Sequence, residues 1–255
     1  MAGHSQFKNI MYRKGAQDAK RAKLFTKLNR EITVAVREGG SDPDSNPRLR
    51  SAIAQARTNN MPNTNIDRAI KKAEGGEGGA NYEYVRYEGY GPGGVAIIVD
   101  GLTDNRNRTA AEVRATFGKY GGNMGETNSA AIMFERVGRV VFNQSVGDFD
   151  TVFEAAAEAG AEDVEETPGS EDQPGTWEVI SDADSFSQVR ETLSARFGDT
   201  REARLGWRPV STQPVSGEDA QRLMKLVDML EDNDDVQQVS TNVEIADEDV
   251  QKLSA

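Results

Sequence analysis

The 255-residue chain contains no cysteine and only one histidine, His4. The absence of cysteine excludes disulfides, thiolate metal ligands and cysteine nucleophiles. A single histidine excludes a histidine metal cage, and a Ser-His-Asp triad would depend on a terminal residue. No segment approaches the roughly 20 apolar residues of a membrane helix, and the N-terminus lacks the apolar core of a secretory signal. We therefore expect a protein that is not an enzyme, with no membrane contact, metal, cofactor or small-molecule substrate.

Charge is distributed unevenly along the chain, although the formal net charge is −12. Residues 1–75 contain 15 Lys and Arg against 7 Asp and Glu, whereas the remaining residues contain 15 against 35. Electrostatic interactions are screened over about 8 Å at physiological salt, so the basic segment can act independently of the acidic remainder. This asymmetry predicts that nucleic acid is contacted by the N-terminal part of an otherwise acidic protein.

The basic segment has the apolar spacing of three helices. The first is predicted over 18–39, with a buried stripe that runs from Leu24 to Val36 and a separate basic face. Asn46 and Pro47 predict the cap and first turn of the second helix, and the third begins at residue 63 or 64.

Four glycines within residues 75–79 predict a linker, after which the pattern changes to alternating strands and helices. Residues 136–206 have the β-α-β-β-α-β order of a ferredoxin-like fold. This segment is predicted to contain a strand at 139–142 and a helix over 185–196, capped by Asp182 or Asp184. Further strands are predicted at 131–134 and 208–210.

The predicted fold class is α+β, with an N-terminal three-helix domain and two small α/β domains, one of them ferredoxin-like and inserted in the other. The boundaries are 1–78 for the helical domain, 79–135 with 207–245 for the discontinuous domain, and 136–206 for the insert.

The candidate nucleic-acid-binding residues lie in the first 30 positions, where eight cations accompany one acid. The cations are expected to hold phosphates, and two aromatic side chains are expected to stack on unpaired bases. The set comprises Lys8, Arg13, Lys14, Lys20, Arg21, Lys23, Lys27 and Arg30, with the aromatic residues Phe7 and Tyr12. The alternatives are a solvated amphipathic face for the cations and packing of the aromatic residues onto the helices.

Two further basic groups are secondary candidates: Arg68, Lys71 and Lys72 in the third helix, and Arg106 and Arg108 where a later helix begins. For the second group, helix capping by the neighbouring Asp104, Asn105 or Asn107 is the favoured interpretation. Acidic clusters such as Asp232, Asp234 and Asp235 lack the spacing of a calcium loop and are interpreted as solvated surface.

Several stretches resemble the YebC/PmpR family, which includes a mitochondrial translational activator of cytochrome oxidase. They are GHSQFKNIMYRKGAQDAKRAKLFTKLNREI from Gly3, NPRLRSAIAQARTNNMPNTNIDRAIKKAEG from Asn46, YEGYGPGGVAIIVDGLTDNRNRT from Tyr87 and GGNMGETNSAAIMFERVGRVVF from Gly121. The chain departs from the family pattern in having Gln6-Phe7 for Lys-Trp and Met11-Tyr12 for Lys-His.

The resemblance implies a three-domain, cytoplasmic, non-enzymatic protein of gene expression. Members are commonly described as transcriptional regulators that bind promoter DNA. Others act on ribosomes and help translation through difficult stretches, which implies large-subunit ribosomal RNA as an alternative partner. A third hypothesis is that the acidic domains form a protein-interaction module.

Overall fold

The computed structural model describes residues 17–75, 81–169 and 174–245, with side chains from Arg21 onward. Most of the predicted glycine linker therefore lies outside the described residues. Contacts divide the described chain into two units. The first holds residues up to 31, from 81 to 135 and from 208 onward, and the second holds 32–75 and those between 136 and 207. These units do not coincide with the three predicted domains, because the first helix contributes to both, and the domain boundaries stay a prediction.

Three helices open the described chain: α1 (Gln17–Gly39), α2 (Pro47–Thr58) and α3 (Asn63–Glu74). Asn46 caps α2 as predicted, because its side-chain oxygen accepts a hydrogen bond from the Leu49 amide at 3.0 Å. Its side-chain amide also donates to the Ala35 carbonyl at 2.7 Å. Asn46 is buried, and it thereby fixes the start of α2 against the last turns of α1.

The first unit contains a four-stranded antiparallel sheet with the order β3-β1-β2-β9. Two helices, α4 and α7, share one apolar core with its central strand β2, as the buried side chains of Val99, Phe117 and Leu226 illustrate. A two-stranded parallel sheet pairs β8 with β10. The bounds are β1 Glu83–Tyr90, β2 Ala96–Thr103, α4 Arg106–Lys119, β3 Asn123–Met124, β8 Gln213–Val215, α7 Gly217–Glu231, β9 Val236–Thr241 and β10 Val243–Ile245.

The second unit contains the predicted ferredoxin-like arrangement, with the sheet order β5-β6-β4-β7. The two helices α5 and α6 cover one face of this sheet, where the side chains of Phe142, Val152 and Leu193 are buried. Trp177 lies in the same core. The bounds are β4 Phe134–Asn143, α5 Phe149–Ala159, β5 Asp163–Thr167, β6 Thr176–Asp182, α6 Phe186–Phe197 and β7 Glu202–Pro209. The fold is α+β, as the sequence predicted.

Four local predictions were wrong. Residues 131–133, which were predicted to lie in a strand, form a single 3-10 turn, and β4 begins at Phe134 and includes the strand predicted at 139–142. Residues 208–209 extend β7. No side chain caps α6, because the Asp182 carboxylate accepts instead from the Asp184 amide at 2.7 Å. Leu24 is 36% exposed rather than buried, which places the buried stripe of α1 from Leu28 onward.

Candidate nucleic-acid interface

The basic face of α1 contacts the C-terminus of α7 within the first unit. The Lys23 ammonium group lies 2.5 Å from a carboxylate oxygen of Asp232 and donates to the Asp232 carbonyl at 3.1 Å. Lys27 donates to the Glu231 carbonyl at 2.5 Å. Carbonyl groups at a helix C-terminus lack intrahelical partners and carry partial negative charge. The two lysines therefore bind and neutralise the end of α7.

Burial lowers the pKa of the Lys27 ammonium group, although the nearby carboxylates of Glu231, Asp234 and Asp232 act in the opposite direction. A lysine that is already desolvated by its own chain is a weaker phosphate ligand than an exposed one, because its contacts must first be broken. The predicted phosphate-binding role of Lys23 and Lys27 thus competes with their structural contacts.

Arg30, the next basic residue along this face, forms an ion pair with Asp235. The Asp235 carboxylate also accepts from Arg108 Nη2 at 2.6 Å and from Thr109 Oγ1 at 2.6 Å. A weaker bond comes from Thr103 Oγ1 at 3.2 Å. Asp235 therefore joins α1, β2 and α4 at one buried carboxylate.

The pKa of Asp235 reflects this environment. Burial acts to raise it, but the hydrogen bonds from Arg108, Thr109 and Arg30 outweigh burial and lower the pKa to about 2. Asp235 is only 3% exposed, so its interpretation as solvated acidic surface was wrong. The sequence did not indicate this burial, because Arg30 and Arg108, which pair with Asp235, are distant from it in the sequence.

The secondary candidates of α3 have a different environment. Arg68, Lys71 and Lys72 are exposed and lie three and four positions apart, which places them on one helix face. Thr64 and Asp67 lie on the same face of the helix. Within the described residues these three cations have no ion-pair partner. They are therefore available to a ligand at no cost in broken contacts.

The remaining described candidates are partnered. Arg21 lies over the ring of Phe25, 5.4 Å from its centroid. Arg106 lies 3.4 Å from a carboxylate oxygen of Glu83. Arg108 bridges Asp235 and Asp104, which raises its pKa further above neutrality. Asn105 caps α4 by accepting from the Arg108 amide at 3.1 Å, as predicted. The structure thus gives the arginines at this helix start a structural role.

The structure does not describe the side chains of the other candidates. Phe7, Lys8, Tyr12, Arg13 and Lys14 lie outside the described residues. Lys20 belongs to α1, but its side chain is not described. Their role in binding stays a prediction.

The sequence did not predict the contact between α1 and α7 or the buried position of the Asp235 carboxylate. A basic helix face has the same local pattern whether it meets solvent, nucleic acid or another helix end.

The described ranges contain no helix that is both long and apolar enough to cross a bilayer.

Two family models match the chain. Residues 5–76 match the N-terminal domain of the TACO1/YebC proteins, and residues 82–243 match the second and third domains of the same family. A solved structure of a conserved hypothetical protein from Aquifex aeolicus is 45% identical in sequence. It superimposes with a TM-score of 0.80 over 90% of this chain and 93% of its own. The chain therefore belongs to the TACO1/YebC family.

Proposed function

We propose that this protein is a non-enzymatic, nucleic-acid-binding regulator of gene expression that acts in the cytoplasm. The observation that carries the proposal is the exposed face of α3 that holds Arg68, Lys71 and Lys72, whose cations have no ion-pair partner in the described ranges. Exposed cations on one helix face can contact successive phosphates and release their counterions.

The N-terminal residues extend this surface in the proposal. Lys8, Arg13 and Lys14 add cations, and Phe7 and Tyr12 add rings that stack on unpaired bases. The acidic remainder of the chain also supports the proposal, because its negative charge repels a polyanion from most of the protein surface. Family membership is consistent with this role, since the family is associated with nucleic-acid regulation.

A direct test replaces Arg68, Lys71 and Lys72 together by glutamine in the full chain. Glutamine removes the charges without introducing repulsion against the C-terminal turn of α3. We expect the affinity for a fluorescent RNA or DNA duplex, measured by anisotropy, to fall by about 30-fold. Circular dichroism should be unchanged, because these side chains are exposed.

The matched control replaces Arg114, Lys119 and Lys225 by glutamine. These residues are also exposed, the charge change is the same, and Lys119 likewise lies in the last turn of its helix. The control should bind like the unmodified chain. Equal affinity of the α3 variant and the control would contradict the proposal.

The nature of the polymer is decided by crosslinking in cells, with sequencing of both the recovered RNA and the recovered DNA. Peaks at promoters that disappear in the α3 variant support a transcriptional regulator. Peaks in large-subunit ribosomal RNA with the same sensitivity support a ribosome-associated translation factor. Crosslinks that the α3 variant leaves unchanged would contradict both.

A further inference from the structure

Two phenylalanines are exposed side by side on α5 of the ferredoxin-like unit. Phe149 is 44% exposed and Phe153 is 47% exposed, and their rings stack with centroids 5.5 Å apart. The Phe149 ring also lies 5.9 Å from the ring of Trp177, which anchors it to the buried core. Adjacent exposed aromatic rings on a folded surface are typical of a binding site.

A row of carboxylates runs beside the two rings. Asp150 and Glu154 each follow a phenylalanine by one position, so they lie about 100° further around the same helix. Within the described residues neither carboxylate has an ion-pair partner. Glu166 of β5 lies directly opposite Trp177 of β6 in the strand register. Directly opposite residues share a face of the sheet, so the Glu166 carboxylate is on the same side as the aromatic rings. The aromatic surface therefore has an acidic border.

The charge of the surrounding sequence restricts what can bind here. Residues 136–207 contain 16 Asp and Glu against 6 Arg, and no Lys. Such a surface repels nucleic acid and anionic membranes. The same acidic region of a second copy is repelled in the same way.

We propose that Phe149 and Phe153, with Asp150 and Glu154, form a docking site for a lysine- and arginine-rich segment of another protein. An apolar side chain of that segment packs against the two rings, and its flanking cations pair with the carboxylates. Apolar contact supplies affinity at such a site, and charge complementarity supplies the preference for basic partners. The site shares no residue with the basic face of α3, so its failure would leave the proposed nucleic-acid binding unaffected.

Fluorescence anisotropy with three synthetic peptides tests the site on the full chain. The probes are a lysine-rich peptide with one central leucine, the same peptide with serine in place of leucine, and a glutamate-rich counterpart. We expect the leucine peptide to bind about tenfold tighter than the serine peptide, and the glutamate peptide not to bind. No preference for leucine, or no binding of the lysine-rich peptides, would overturn the proposal.

Variants assign the binding to the site. Phe149→Ala with Phe153→Ala should abolish the preference for leucine. Asp150→Asn with Glu154→Gln should weaken both lysine-rich peptides and reduce the salt dependence. The control, Leu205→Ala with Val210→Ala, changes exposed apolar residues elsewhere and should bind normally. Equal losses in the control would overturn the proposal, and circular dichroism should show that each variant is folded.

A photocrosslinking amino acid at Ala157, which is exposed one turn beyond Phe153, identifies the natural occupant in cells. Crosslinks to lysine- or arginine-rich protein segments, lost in the Phe149→Ala, Phe153→Ala background, support the proposal. The same amino acid at the exposed Ala115 of α4 is the control position. Crosslinks only to a second copy or to nucleic acid, or no more crosslinks than at Ala115, would overturn it.

Discussion

The first half of α1 and the last turns of α3 are both rich in lysine and arginine, but their side chains have different partners. On α1, Lys23, Lys27 and Arg30 bind carbonyl and carboxylate oxygens of residues 231–235. On α3, Arg68, Lys71 and Lys72 share an exposed helix face and have no ion-pair partner in the described part of the chain. The comparison teaches that a local count of cations overstates how many can bind a polyanion. Predictions that separate the two helices therefore test the account.

The largest effect is expected at Asp235, which organises the α1 side of the comparison. Asp235→Asn leaves Arg30 and Arg108 without their shared carboxylate and should lower the free energy of unfolding by about 3 kcal/mol. Urea denaturation followed by circular dichroism measures the change. Asp234→Asn is the matched control, because this neighbouring carboxylate is exposed, and it should change stability by less than about 0.5 kcal/mol. Similar losses in both variants would mean that Asp235 does not join these elements.

A smaller loss of stability is expected at low pH. The pKa of Asp235 is lowered from 3.8 to about 2 in the folded protein, so its ionised form stabilises the fold above the unfolded pKa. That stability, about 2 kcal/mol, should be lost as the pH falls from about 4 through about 2. Urea denaturation across this range should show the loss in the unmodified chain and a flatter dependence in Asp235→Asn. Parallel curves for the two proteins would contradict the assignment.

The smallest effect is expected at the two lysines that contact the end of α7. Replacement of Lys23 and Lys27 by methionine keeps the aliphatic packing and removes both charges. The free energy of unfolding should fall by about 1 kcal/mol, because cations at a helix C-terminus each contribute a few tenths to 1 kcal/mol. Affinity for nucleic acid should fall by less than about threefold. A large loss of affinity without loss of stability would reverse the comparison between α1 and α3.

Elements with local signals could be predicted from the sequence. The helix α5 is such an element, because both of its ends are encoded nearby. Asp148 accepts from the Thr151 amide at 2.9 Å, and Gly160 ends the helix with a φ of 86° that favours glycine. The ferredoxin-like order was predictable for a related reason, since each strand and helix has its own apolar pattern.

Features that depend on distant residues could not be predicted. The continuity of β4 through Gly138 comes from pairing with β6, which the local sequence does not encode. The partner of Arg30 lies 205 positions away, so no spacing in the chain indicates it. The candidate site could likewise be predicted only in part. The cations of α1 and α3 were identified correctly as basic faces, but which face stays open depends on where residues 231–235 lie in the fold.

The most direct test of the account is the salt dependence of nucleic-acid affinity for three proteins. These are the unmodified chain, the Arg68, Lys71 and Lys72 glutamine variant, and the Lys23 and Lys27 methionine variant. We expect the slope of log affinity against log salt concentration to fall by about 2 to 3 in the α3 variant, since each phosphate contact contributes about 0.9. The α1 variant should keep the original slope. An unchanged slope in the α3 variant with a reduced slope in the α1 variant would contradict the account.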